Sequence, residues 1–379
     1  MERLVVAVSD LRTVVRCPHC GFLTARVRDR RWQRVHDLPH GGRPTVLVWV
    51  RRLFVCGNCD QRHTESHPEM WGRVTRRLAL RMVRDAQGVS IKAVAARYQV
   101  SWWLKMRTVR VWSGEIEARR RRRRCRVLLV DETSLRRRHR YVTVISDGET
   151  GAVLGVVRHR DSAALGRFLQ AQGPAWCRGV KVVVSDGSEA YRAAIGRWLP
   201  DTRHVLDRFH VARWFAQGLI DVRRRIQRIG DVGSRPAFDP EIFRSRYLQQ
   251  MRYDHLTDDQ AARLGKVLAR EPELERAWRM LQHLYGIHLA SDDQEANQAV
   301  AAFLELCREQ GIVEFLPTVD RLLDWADEIV AFHTCGRITN GRLEGRMNKL
   351  GVLKRIAYGF TNLPNFRARA ILTNPGVPS

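Results

Sequence analysis

The stretch "VLLVDETSLRRRHRYVTVISDGETGAVLGVVR", from Val127 to Arg158, decides the fold. "VLLVD" is a short apolar run that ends in a carboxylate. "RYVTVIS" and "AVLGVVR" follow, and the "DGETG" between them is a hairpin-turn signal. Three strands in a meander are therefore expected. Beyond them "SAALGRFLQAQ" reads as helix, "VKVVVSDG" as strand, "SEAYRAAIGRWL" as helix and "RHVLD" as strand. A meander followed by strand–helix alternation predicts a mixed α/β sheet. From about His210 to Cys335 the pattern is almost purely helical.

Chemistry can sit at the strand ends. Asp131 closes one buried strand, and Asp186, followed by Gly187, closes another. A carboxylate is costly to hide, so it belongs at the C-terminal edge of the sheet, where ligands bind in α/β folds. Two on neighbouring strands suit a hard cation such as magnesium, which takes carboxylate, water and phosphate oxygens. Two-metal phosphoryl transfer needs about three converging carboxylates.

The candidate third is Glu344 in "TNGRLEGRMNKLGVLKRIAYGF", Thr339 to Phe360. Read as a helix from Asn340 to Leu353, this segment has an apolar stripe of Leu343, Met347 and Leu350. Arg342, Arg346 and Lys349 form a basic stripe, and Asn340, Glu344 and Asn348 share a third face. From spacing alone, Glu344 could instead pair with a nearby base. Asp207 and His210 in "VLDRFH" are candidates for contacts to ligands or substrate, with plain packing as the alternative; Asn348 is a further such neighbour. Glu132 should point to the opposite side of its strand from Asp131. No nucleophile elbow appears.

Ahead of the sheet, "CPHCG" and "CGNCDQR" place Cys17, Cys20, Cys56 and Cys59 on two tight turns, with strand-like "VLVWVRRLFV" between them. Four thiolates on such knuckles predict a structural zinc in a ribbon. Cys125, Cys177, Cys307 and Cys335 are scattered singly and read as core residues. Residues 74 to 113 have helical period, with Ser90 and Ser101 placed to cap two helices around a short turn at Val100. That is the layout of a helix-turn-helix, whose second helix would offer Trp102, Lys105, Arg107 and Arg110 to DNA. "ARRRRRRCR", Ala118 to Arg126, reads as a solvated linker or phosphate clamp.

The chain has 379 residues, a net charge of +26 and a pI of about 11.0. Hydrophobic residues make up 44%, which rules out a disordered basic tail. Such a positive surplus argues for a polyanionic partner, because neutralising phosphates releases counterions. No run approaches a membrane span and no apolar signal core follows Met1, so a cytoplasmic, nucleoid-associated protein is expected, without membrane contact.

Together these blocks resemble the ISL-three family of bacterial insertion-sequence transposases, of the DDE class. "CPHC…HDLP…CGNC" is similar to its zinc-finger region, "VDETSLRRRHRYVTVISDGETGAVL" to its first catalytic block, "VVSDGSEAYRAAIGRWLPDTRHVLDRFHVAR" to its second and "TNGRLEGRMNKLGVLKRIAYGFTN" to its third. The resemblance covers nearly the whole chain. It implies an RNase H-like core with Asp131, Asp186 and Glu344 as the acidic triad and a helical insertion before the Glu helix.

The implied fold class is multidomain α/β. A zinc ribbon (1–67), a helix-turn-helix (74–113) and an Arg-rich linker (114–126) precede the first part of the core (127–210). An all-α insertion (211–335) and the last part of the core (336–379) follow. Also implied are two Mg2+ or Mn2+ ions, with Asp131 bridging them and Asp186 and Glu344 each holding one. The expected substrate is double-stranded DNA, as transposon ends and target, handled by a homodimer or higher oligomer. Lys354, Arg355 and Tyr358 are expected DNA contacts after the helix. Met347 and Gly351 stand where the family usually shows Asn and Lys, and Gly187 where a bulkier residue is common; Gly351 is expected to end or bend the helix. A regulator that has lost catalysis, and a nuclease that cuts without strand transfer, are the alternatives.

Overall fold

A computed structural model describes residues 2–135, 141–228, 238–339 and 341–373, with only the backbone for Arg342, Leu343, Glu344 and Arg346. The expected meander forms. Val127–Ser134 pairs antiparallel with Tyr141–Asp147, which pairs antiparallel with Val153–Arg158. Val182–Ser185 then adds in parallel to the first strand, and Arg203–Leu206 in parallel to Val182–Ser185. The order across the sheet is third, second, first, fourth, fifth.

Both faces are covered, and strand alternation sorts the side chains between them. Leu128, Val130, Ile145 and Val183 pack with Leu165, Phe168 and Ile195, from helices Ser162–Gln172 and Glu189–Trp198. Leu129, Val144, Val184 and Val205 face the other layer. There they meet Val109 and Ile116 of helix Trp102–Arg121, Phe366 and Ala370 of helix Leu363–Leu372, and Leu350 and Leu353 of helix Gly341–Ile356. Each large aliphatic buried this way contributes about 1.5–3 kcal/mol. An Asp in place of the fully buried Val144 would break the middle of the sandwich, since it would bury an unpaired charge.

The N-terminal unit is a second sheet built on a long hairpin, Val27–His40 with Arg43–Val55. Its tip, Gly41–Gly42, takes φ values of 57° and 72°, the left-handed pair that a two-residue hairpin turn requires. The sheet continues past residue 67 to Val74–Thr75, which pairs beside His36. Three helices follow: Arg76–Asp85, Ile91–Arg97 and Trp102–Arg121. Ser90 and Ser101 cap the last two as the sequence suggests, each hydroxyl accepting from an amide at 3.1 Å.

One expectation is corrected here. The segment 114–126 is not a free linker, because the third helix runs through it to Arg121. The Arg120 guanidinium donates to the carbonyls of Val153 (3.0 Å) and Ile371 (2.9 Å). Arg121 pairs with Glu117 and lies over the Phe168 ring. Arginines pack when carbonyls and an aromatic face receive their planar, many-donor heads.

Between Arg208 and Thr334 the described residues form only helices and single 3-10 turns. Their core is the apolar stripe of helix Pro272–Leu289, with Leu274, Ala277, Leu281, Leu284 and Ile287 all fully buried at helical spacing. Arg192 joins this region to the core: it lies 3.6 Å from the Trp325 ring centroid and donates to Glu328. No helix among the described residues is long and apolar enough to cross a membrane.

Candidate active site and metal centres

The register of the parallel strands aligns three carboxylates. Val184 lies opposite Leu129, and Ser185 opposite Leu206. Carried on, the same register sets Asp131, Asp186 and Asp207 in one row across three adjacent strand ends. The Asp207 amide donating to the Ser185 carbonyl at 2.8 Å continues that ladder. By alternation, Asp131 shares its side of the sheet with Leu129, the side covered by helix Gly341–Ile356. Glu132 takes the other side, as expected, and accepts from Arg160 at 2.9 Å.

Burial pushes the carboxyls of Asp131 and Asp186 up to about 6 each, the mutual repulsion of the row adding to it. Asp131 Oδ1 accepts from the Glu132 amide at 2.7 Å, whereas Asp186 Oδ1 is buried with no hydrogen-bond partner among the described residues. An orphaned carboxylate oxygen beside a second carboxylate fits a divalent cation held by oxygen ligands. Asp207 is buried and accepts from His210 Nδ1 at 2.9 Å; that bond raises the imidazole's pKa and favours its charged form next to the acids.

Close packing fixes the turn after Asp186. A Cβ on Gly187 would lie 1.9 Å from the Trp214 ring, so only glycine lets helix Arg208–Ile226 cross there. Helix Gly341–Ile356 continues past Gly351, so Gly351 does not end it, contrary to one form of the expectation. Leu350 and Leu353 are buried, and Met347 packs beside them. Glu344 belongs to this helix, but its side chain, like those of Arg342 and Arg346, lies outside the described residues.

The zinc knuckles are already assembled. The four sulfurs of Cys17, Cys20, Cys56 and Cys59 all lie within 4.8 Å of one another. Cys17–Cys59 and Cys20–Cys56 are 3.8 and 3.5 Å apart. A tetrahedral zinc with Zn–S bonds of about 2.3 Å needs sulfurs about 3.8 Å apart, so the set fits. In each turn an amide reaches back to the first cysteine's carbonyl, from Gly21 at 3.0 Å and from Asp60 at 3.1 Å. Both donors have positive φ, so the second knuckle uses Asp60 and not a glycine at that position.

Of the expected DNA contacts, Trp102, Arg107, Arg110, Lys349 and Arg355 are exposed, as is Tyr358. Two differ from expectation. Lys105 is fully buried, its ammonium donating to the Met82 carbonyl, and burial pushes its pKa down to about 7. Lys354 is turned to the protein, donating to Thr133 Oγ1 (2.8 Å) and the Ser134 carbonyl (3.0 Å), so it ties the Glu344 helix to the end of the Asp131 strand. Asn348 is exposed, while Asp207 and His210 join the acidic row. A basic row was missed: Arg28, Arg30, Trp32 and Arg34 stand exposed on alternate positions of the long hairpin. Period-two spacing would have found it.

A mixed α/β core with acids along one strand edge follows a four-cysteine zinc module. A family model for transposases of the ISL3 (ISL-three) type matches residues 128–370, and one described as the zinc-finger of transposase IS204/IS1001/IS1096/IS1165 matches residues 13–59. The chain belongs to the ISL3 family of transposases. It is similar to the transposase for insertion sequence element IS1001 of Bordetella parapertussis, 27% identical over 380 residues that cover 98% of this chain and 92% of that one. It is also similar to the transposase for insertion sequence element IS1557 of Mycobacterium tuberculosis, 28% identical over 370 residues, 90% of this chain and 77% of that one.

Proposed function

We propose that this chain cuts DNA at the ends of an insertion sequence and joins the freed 3′-hydroxyl to target DNA, with Asp131, Asp186 and Glu344 as its acidic triad. The observation that carries the reading is the row of buried strand-end carboxylates with an unpartnered oxygen on Asp186. These residues would hold two divalent cations, Mg2+ or Mn2+, which when bound lower the pKa of water and offset charge in the transition state. His210, whose charged form Asp207 favours, would offer an N–H to a phosphate oxygen at the same edge. Lys354 holds the Glu344 helix against the Asp131 strand.

Recognition belongs to the surface. The helix-turn-helix would present Trp102, Arg107 and Arg110 to the terminal repeats, with the Arg28–Arg34 row along neighbouring phosphates. Arg342, Arg346, Lys349 and Arg355 would hold the backbone near the triad. Bringing two ends together calls for a dimer or larger assembly on DNA, in the cytoplasm with the nucleoid.

Glu344→Gln, assayed for cutting and joining in magnesium, is expected to lose at least about a hundredfold in rate while still binding DNA. Activity near wild type would remove Glu344 from the triad. Hydrolysis without joining would leave a nuclease, and intact binding without any cutting by the wild type would leave a regulator.

A further inference from the structure

The helix Trp102–Arg121 carries more aromatic surface than phosphate contacts need. Trp103 is 78% exposed and Trp102 37%, and their rings stand edge to face with centroids 4.9 Å apart. Both line a groove of about 570 Å³ whose other wall is Thr361, Asn362 and Asn365, at the start of helix Leu363–Leu372. Arg107 and Arg110 follow Trp103 at one and two helical turns, on its face, and also line the groove. Among the described residues, no carboxylate lines it.

The walls come from distant parts of the chain and are fastened together. Arg367 donates to Glu117 at 3.0 Å, Arg120 to the Ile371 carbonyl at 2.9 Å and Arg369 to the Val89 carbonyl at 3.0 Å. The groove is therefore preorganised, so little ordering cost is left for its ligand.

Indole faces stack on any nucleobase, because every base has a π face. In an intact duplex those faces are covered by neighbouring pairs, and the grooves show only edges. The amides of Asn362 and Asn365 and the Thr361 hydroxyl carry both donors and acceptors, which suits the exposed edge of a single base. Positive charge beside the rings, with no acid opposing it, suits the phosphates on either side.

We propose that this groove takes an unpaired nucleobase of DNA, stacked on Trp103, with its flanking phosphates on Arg107 and Arg110. The proposal rests on the DNA-processing reading of the chain and adds the form of DNA it grips, a strand with one base out of the stack.

The full chain is titrated with a duplex of arbitrary sequence, either fully paired or with one unpaired fluorescent adenine analogue at its centre. Wild type is expected to bind the second about tenfold more tightly and to quench the analogue. Trp103→Ala is expected to erase both the preference and the quenching and to keep affinity for the paired duplex; Trp103→Phe, which keeps a π face, retains most of both. Equal affinity of wild type for the two duplexes overturns the proposal. So does a Trp103→Ala protein that keeps the preference, or one that weakens on both duplexes alike. Trp103 projects into solvent, so melting temperature and zinc content serve as folding controls. Magnesium-dependent cutting is scored separately, on a duplex that carries the element's own terminal repeat. Stacking on the arbitrary duplex with no cutting of the terminal repeat upholds the groove and sinks only the transposition reading, whereas cutting of the repeat with no preference for the unpaired base sinks only the groove.

Discussion

The zinc knuckles and the acidic row proposed to hold the catalytic cations are assembled in opposite ways. The zinc cysteines come as two pairs, each inside a four-residue turn, and their sulfurs already stand at tetrahedral distances. The carboxylates come from strands separated by long stretches of chain, and they meet only because parallel register aligns them. Soft thiolates replace every water around a zinc, so that site is closed and serves folding. The acidic row has an Asp186 oxygen with no partner among the described residues and two carboxyls raised to about 6, which suits the proposed role of receiving a cation. In one place the cation makes the fold; in the other, on the proposed reading, a finished fold brings the charges together for a cation to join.

The largest effect should come from breaking the closed site. Cys56→Ser is expected to abolish stoichiometric zinc and unfold the knuckles, since structural zinc supplies about 10 kcal/mol or more of folding free energy. Hydrogen exchange should show lost protection over residues 13–64 with the core sheet unchanged. Loss of the whole fold would mean the two regions are not separable. Next, Asp186→Asn should cut the rate of strand cleavage by a factor on the order of 10² to 10³ and leave zinc content at wild type.

A third test uses pH. The carboxyls of Asp131 and Asp186 sit near 6 in the folded chain against an ordinary 3.8. The metal-free folded chain thus holds protons more tightly than the unfolded one, and it should gain stability as pH falls from about 7 to about 4. Asp186→Asn removes that burden, so without metal it should be more stable than wild type by about 2–3 kcal/mol at neutral pH. The difference should vanish near pH 4. Urea midpoints across that range decide it, and no gain at neutral pH would mean that burial does not penalise the charged Asp186. The smallest effect belongs to Lys354→Gln, expected to cost about 1–2 kcal/mol by removing two charge-assisted bonds. An unchanged melting curve would show that the Glu344 helix is held by Leu350 and Leu353 alone.

The same contrast explains what could be read from the sequence. Cys-x-x-Cys turns, serine caps and apolar runs ending in Asp are local signals, and each appears where its spacing puts it. Alternation also predicted the side taken by Glu132. Lys105 was misread because helical period does not say how wide a face is covered, and here the third helix is also packed against the carbonyl of Met82. The arginine run was misread for a related reason: its partners, Val153 and Ile371, are remote in sequence. Asp207 stayed ambiguous until the fifth strand paired beside the fourth.

That remote partnership also sets an order of events during synthesis. Arg120 shares its guanidinium with a carbonyl 251 positions later, and Leu363–Leu372 forms part of the layer that covers the Leu129 face of the sheet. While the ribosome is still making the helical region, that layer lacks Phe366, Ala370 and Ile371. The zinc unit can close early on its own cysteines; the five-stranded core must wait for its covering layer until residue 371 has emerged.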